Sequence, residues 1–248
     1  MDSRKFRVDD MPETAVRERP ILFSAPMVRA ILDGRKTITR RVIRPQPTDI
    51  GHDVWEFRGA RYVGEGATCD HLFHNVYGGN DDRAMPYGGV YDDHGDRLWV
   101  RETFYIDDER AIGKRLPKKR PEWFDDDTLY YRADGECCEQ IPECQCATEG
   151  KPSWRPSIFM PRWASRITLE IEDVRVERLQ EITESDAIAE GAPCIDNPDH
   201  DPEDPMDDPQ THLAGFIDLW QKLNGSRGFG WDVNPWVWVI SFRRITDV

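Results

Sequence analysis

The chain has 248 residues and no apolar run near the roughly 20 residues that cross a bilayer, so no membrane span or membrane partner is expected. It has no internal repeat, which excludes solenoids and propellers. It has no G-x-S-x-G elbow, no P-loop and no G-x-G-x-x-G, so the common serine-hydrolase, phosphate-cradling and dinucleotide motifs are absent. Met1 to Pro20 is charged and lacks an apolar h-region, so a cytoplasmic address is expected. Cysteine is sparse at six residues, and in a reducing compartment these read as thiols or metal ligands. Basic residues are in the minority: 33 Lys and Arg face 47 Asp and Glu, a net charge of −14. Such a surface repels phosphates, so long duplex nucleic acid is not an expected partner. What is present is a globular composition, with 38% hydrophobic residues and nine Trp, enough for a packed core.

The charge is uneven. Asp196 to Asp208 (DNPDHDPEDPMDD) holds seven acidic residues and no Lys or Arg, half of the net charge. Three prolines interrupt it, so it reads as a solvated loop. Between Arg29 and Arg44 the balance reverses. Arg29, Arg35, Lys36, Arg40, Arg41 and Arg44 face only Asp33. A basic strip on an acidic protein suggests a local anion site; its ordinary alternative is a solvated face.

Periodicity and punctuation outline the elements. Residues 1–19 read as a loose arm and 20–248 as one domain. Pro20 to Phe23 reads as a strand, and Pro26 opens a helix with Ser24 as N-cap and Gly34 as stop. Thr37-Ile38-Thr39 favours extended chain. Residues 45–95 and 107–156 read as irregular insertions, and 193–211 as a third. A turn at Gly95-Asp96 leads into the strand RLWVRETFY. Alternation from Arg166 to Leu179 predicts a strand, a bend and a second strand. Thr183 caps a helix that Gly191 stops. Leu213, Phe216, Ile217, Trp220 and Leu223 form an amphipathic face, and Trp236 to Ile245 is the last strand. Strands do not alternate with helices, so an α+β fold built on a small mixed β-barrel with short helices is expected.

The run Ile31-Leu32-Asp33-Gly34-Arg35-Lys36-Thr37-Ile38-Thr39-Arg40 resembles the signature of the ASCH family. Gly95 to Val100, Leu179 to Gly191 and Trp236 to Ile245 are similar to further family segments. Met160-Pro161-Arg162-Trp163-Ala164-Ser165-Arg166 resembles the larger ASCH proteins of bacteriophages and prophages. The resemblance implies a barrel related to the PUA RNA-binding fold. It implies amide hydrolysis as the activity, removal of the acetyl group from N4-acetylcytidine, with no cofactor required. Carried over by position, the catalytic set is Lys36, Thr39 and Glu190.

Amide hydrolysis needs a nucleophile, a base and an acid for the leaving amine. Thr39 offers the hydroxyl. Lys36 serves as base if burial or Arg35 and Arg40 keep it neutral. Glu190 holds the water or moves the proton, from the C-terminal end of its helix, where a carboxylate meets the negative end of the dipole. Residues three apart on a regular strand face opposite ways, so Lys36 and Thr39 converge only if the chain bends between them. As bland alternatives, Lys36 is a solvated helix-end lysine, Thr39 a strand threonine and Glu190 a surface residue. Arg35, Arg40, Arg101 and Glu102 are candidate substrate-binding groups. Trp163 is a candidate base-stacking group, as is Trp99; core packing is the alternative for both tryptophans.

Cys137, Cys138, Cys144 and Cys146 (C-C-x5-C-x-C) can supply four thiolates to a structural zinc, with free thiols as the alternative. Cys69, His71 and His74 are another ligand source. The leading expectation is a hydrolase acting on the N4-acyl group of a modified cytidine nucleoside or short RNA. A non-catalytic module that binds RNA or a modified base is the second, and a ribonuclease the third.

Overall fold

The computed structural model describes residues 16–49, 54–57, 60–63, 96–111, 113–135, 154–196 and 210–245. The strands are β1 (Glu18–Leu22), β2 (Ile38–Val42), β3 (Thr48–Asp49), β4 (Val54–Phe57), β5 (Ala60–Val63), β6 (Arg97–Arg101), β7 (Phe104–Ile106), β8 (Leu129–Tyr131), β9 (Thr168–Arg178), β10 (Ile195–Asp196), β11 (Gln210–Thr211) and β12 (Trp236–Ile245). The α-helices are α1 (Ala25–Leu32), α2 (Glu184–Ala189) and α3 (His212–Asn224).

The main sheet runs β1-β6-β9-β12-β2. Only β1 and β6 pair in parallel; the other neighbours are antiparallel. Strand β12 lies inside this sheet, and its apolar run WVWVISF is buried from both sides. Val237 and Val239 pack with Phe216 and Trp220 of α3 and Ala187 of α2. Ile240 and Phe242 face the other way, onto Val28 and Ile31 of α1. The sheet is thus a central layer with α1 on one face and α2 and α3 on the other.

The α+β class is as expected, with a mixed sheet and few helices. The expected barrel is not closed among the described residues. Strands β1 and β2 are the two edges, and no backbone ladder joins them. A side chain spans the gap instead: Arg41 donates to the Leu22 carbonyl at 2.9 Å. The expected strand, bend and strand over 166–179 is one strand, β9. The bend is a bulge, where Ser241 pairs with Asp173 and Phe242 with Ile171, leaving Glu172 without an opposite residue.

Two insertions carry more order than composition suggested. Strands β3, β4 and β5 form a separate antiparallel sheet within 45–95. Residues 107–156 supply β8, which pairs with β7, and Ala111 and Phe124, which pack with Phe104, Ile106 and Met160 from outside the insertion. Glu102 and Asp134 clamp this layer through Arg166, which reaches Glu102 at 3.0 Å and Asp134 at 2.7 Å. Ser24 occupies the N-cap position of α1, but its side chain makes no capping hydrogen bond.

Both α1 and α2 end in Schellman turns. In α1, Gly34 (φ 73°) donates to Ile31 and Arg35 to Ala30; in α2, Gly191 (φ 71°) donates to Ile188 and Ala192 to Ala187. After α2 the chain runs tightly against α3. A Cβ at Gly215 would lie 1.8 Å from the Pro193 carbonyl oxygen. Gly215→Ala separates two effects of opposite sign. Helix propensity favours alanine by about 1 kcal/mol, whereas the backbone clash costs at least about 2 kcal/mol. Urea unfolding should therefore show net destabilisation, and a stabilised variant would refute the close approach.

Candidate functional site

The two glycine stops bring the helix ends together. Just past Gly34, Lys36 leaves α1 with its backbone N–H on the Ala30 carbonyl, and Thr37 donates to the Ala189 carbonyl of α2 at 2.8 Å. Lys36 precedes β2, so it and Thr39 do not share one regular strand; Thr39 lines the groove with Glu190, and Lys36 reaches it only through Glu190. The Lys36 side chain is fully buried. The ammonium donates to Glu190 Oε2 at 2.6 Å, the Glu190 carbonyl at 2.7 Å and the Ile38 carbonyl at 2.8 Å. All three ammonium protons are therefore used. The Glu190 carbonyl belongs to the C-terminal end of α2, where a cation is favoured. Burial pushes the Lys36 pKa down, and the Glu190 carboxylate only partly opposes it.

Glu190 is the C-cap of α2 and is buried. Arg40 approaches from β2, with Nη1 3.6 Å from Glu190 Oε1. Arg40 Nη2 donates to Asp186 at 2.8 Å and Glu177 at 3.0 Å. Glu190 Oε1 and Arg40 Nε and Nη1 are buried and have no hydrogen-bond partner among the described residues. They are the polar atoms here with capacity left for a ligand.

Thr39, Arg40 and Glu190 line a groove of about 860 Å³, together with Phe23, Arg41 and Trp220. That volume accommodates a nucleoside. The groove follows the gap between β1 and β2. Strand alternation places Thr39 and Arg41 on the α1 face of the sheet and Arg40 on the α3 face, where it approaches Phe216. The groove is thus lined from both faces around the free edge of β2. The Thr39 hydroxyl makes no hydrogen bond among the described residues.

The remaining predicted residues lie elsewhere. Arg35 is exposed and pairs with Asp33 at 2.8 Å. Glu102 is buried on Arg166, and burial pushes its pKa up. Trp163 donates its ring N–H to the Pro117 carbonyl at 3.0 Å and packs edge-on against Phe124. Arg101 lies 4.7 Å from the centre of the Trp99 ring and lines a second cavity. Cys137, Cys138, Cys144, Cys146, Cys69, His71 and His74 lie outside the described residues. Among the described residues, no group of three or more His, Cys, Asp or Glu is placed to hold a metal ion. Nor is any helix long and apolar enough to cross a membrane.

Sequence reading placed Arg41 in the basic strip but not among the substrate-binding residues, and the structure puts it in the groove. Its signal was present, because it is two residues from Thr39 on the same strand and so shares its face. It missed Phe216 and Trp220 because an amphipathic helix face reads as core. No protein-family profile, curated protein or solved structure matches the chain.

The buried pair yields a stability prediction. Lys36→Met and Glu190→Leu should each destabilise the protein by about 3–5 kcal/mol, because the first leaves the buried carboxylate with only Arg40 at 3.6 Å and the second leaves the buried ammonium without a counter-charge. The double variant should lose clearly less than the sum of the two. Chemical denaturation of all four proteins checks this, and additive losses would show that the two groups are uncoupled.

Proposed function

We propose that the chain is an ASCH-type, PUA-like cytoplasmic protein that hydrolyses the N4-acyl amide of a modified cytidine. The observation that supports this most is the meeting of Lys36 with Glu190, 154 residues away, beside a groove that Thr39 and Glu190 both line. These are the three residues that the resemblance implies.

In this reading Thr39 Oγ attacks the acyl carbon, forming a C–O bond, and its proton passes to the Glu190–Lys36 pair. A lysine whose charged form is disfavoured by burial and whose proton is shared with a carboxylate is suited to hold and return that proton. Arg41, on the Thr39 face of β2, donates to the acyl oxygen and stabilises the negative charge that develops there. The C–N bond then breaks, the proton returns to the leaving N4 amine, and water hydrolyses the acyl-threonine to acetate. Arg40 acts through Glu190 by holding its carboxylate. Arg35, Glu102 and Trp163 have no part in this scheme.

A second reading, a non-catalytic module that holds a modified base, is favoured by one observation. The Lys36 ammonium already spends its three donors on protein acceptors.

Release of acetate from N4-acetylcytidine decides between them. Wild-type protein should turn over, and Thr39→Ala and Glu190→Gln should each lower kcat by about 100-fold or more with the fold intact by circular dichroism. Activity requires the lysine free to take a proton. The rate should therefore rise with pH through an inflection below the ordinary lysine value of 10.5. A rate falling over that range would contradict Lys36 as proton acceptor. Binding of the nucleoside without turnover would leave the binding module.

A further inference from the structure

A second cavity, of about 700 Å³, opens where the 107–156 insertion meets the main sheet. Its cations are Arg101, Lys114, Arg115, Lys118 and Arg155, and among the described residues no Asp or Glu lines it. On a chain of net charge −14 this is a concentrated positive site. None of the five forms an ion pair among the described residues. Arg155 is spent on the carbonyls of Lys114 and Ala111 rather than on a carboxylate. Arg101 Nε is buried without a hydrogen-bond partner. Asp108 pairs with Arg110 at 2.6 Å and feels Lys114 only through space, and Asp107 accepts from the Tyr105 hydroxyl. Burial without an anion also pushes the Arg155 pKa down.

Aromatic surface interleaves with these charges. Tyr105, Trp154 and Phe159 line the cavity, and Phe159 is 61% exposed. Cations that track a backbone beside rings that accept bases are the chemistry of single-strand binding, not of duplex readout. The cavity also adjoins the groove. Ser157 lines the groove while its neighbours Pro156 and Ile158 line the cavity.

We propose that this cavity binds the phosphates and a flanking base of single-stranded RNA, so that the target cytidine enters the groove as part of a strand. The destination of that base rests on the function proposed above; the binding of the strand does not. A phosphodiester chain satisfies several of the five cations at once, which a free nucleoside cannot. The net acidity of the rest of the surface then confines the strand to this track.

The test is fluorescence anisotropy of a labelled oligocytidine RNA of about ten nucleotides with the full chain. Titrations span about 50 to 200 mM salt. Wild-type protein should bind, with affinity falling steeply as salt rises. The combined variant Lys114→Glu, Arg115→Glu, Lys118→Glu should bind at least about tenfold more weakly and lose about 2 from the log–log salt slope. Phe159→Ala should weaken binding severalfold with the slope unchanged. These side chains are exposed, so the thermal midpoint reports any general unfolding separately. Absence of binding by the wild type, or equal binding by the charge-reversed variant, would overturn the proposal. Displacement of the RNA by polyglutamate of similar length as effectively as by unlabelled RNA would also overturn it, assigning the cavity to acidic peptides. Strand binding without deacetylation of any substrate would uphold the cavity and sink the hydrolase. Deacetylation of the nucleoside without strand binding would do the reverse.

Discussion

The contact on which the candidate site depends is the buried bond between Lys36 and Glu190. A lysine ammonium without water is costly unless every donor is met. Here three acceptors meet it, two of them contributed by one residue at the end of α2. This is possible because α1 and α2 both stop at left-handed glycines. A further turn on either helix would carry Lys36 and Glu190 past each other. Gly191 is also needed for the approach itself, since a Cβ there would lie 2.9 Å from Ala30 Cβ and 3.2 Å from Lys36 Cβ. The ion pair therefore fixes how the helices on opposite faces of the sheet are disposed, and the free edge of β2 runs beside it.

The open edge gives this pair something to act on. In a closed barrel, ladder hydrogen bonds would occupy the space between β1 and β2. Here that space is the groove, and Arg41 reaches across it to Leu22. The second cavity is open for a different reason. It lies at the junction of the main sheet with an insertion that packs onto a second apolar cluster, and junctions between separately packed layers leave clefts. Among the described residues, both clefts are lined by more cations than carboxylates.

The parts of the fold that were legible in the sequence are those written locally. Gly34 and Gly191 mark helix ends, Thr183 forms the expected cap with Asp186, and the apolar run at 236–245 matches β12. The β4 and β5 strands were hidden because four-residue runs inside a Gly- and Asp-rich stretch give too little periodicity. The β9 bulge read as a bend because a bulge interrupts alternation just as a turn does. At the site, Lys36 and Glu190 were recognisable only by resemblance, since nothing local says that two helix ends meet. Arg40 is buried mid-strand, and its charge is explained only by Glu177, Asp186 and Glu190, which come from distant segments. Arg35 has the same charge and nearly the same address, yet it points to solvent because Asp33 is within reach beside it.

The position of β12 between β9 and β2 has a kinetic consequence. Strand β2 has one ladder partner in the sheet, and that partner pairs Thr39 with Ile240 across most of the chain. Closing so long a loop is entropically slow, and no shorter-range ladder can hold β2 in the meantime. Strands β9 and β12 can pair first, with α3 packed between them in sequence, and β2 docks onto the finished edge. Thr39 and Arg40 thus owe their place in the sheet, and the groove its wall, to a pairing that spans most of the chain.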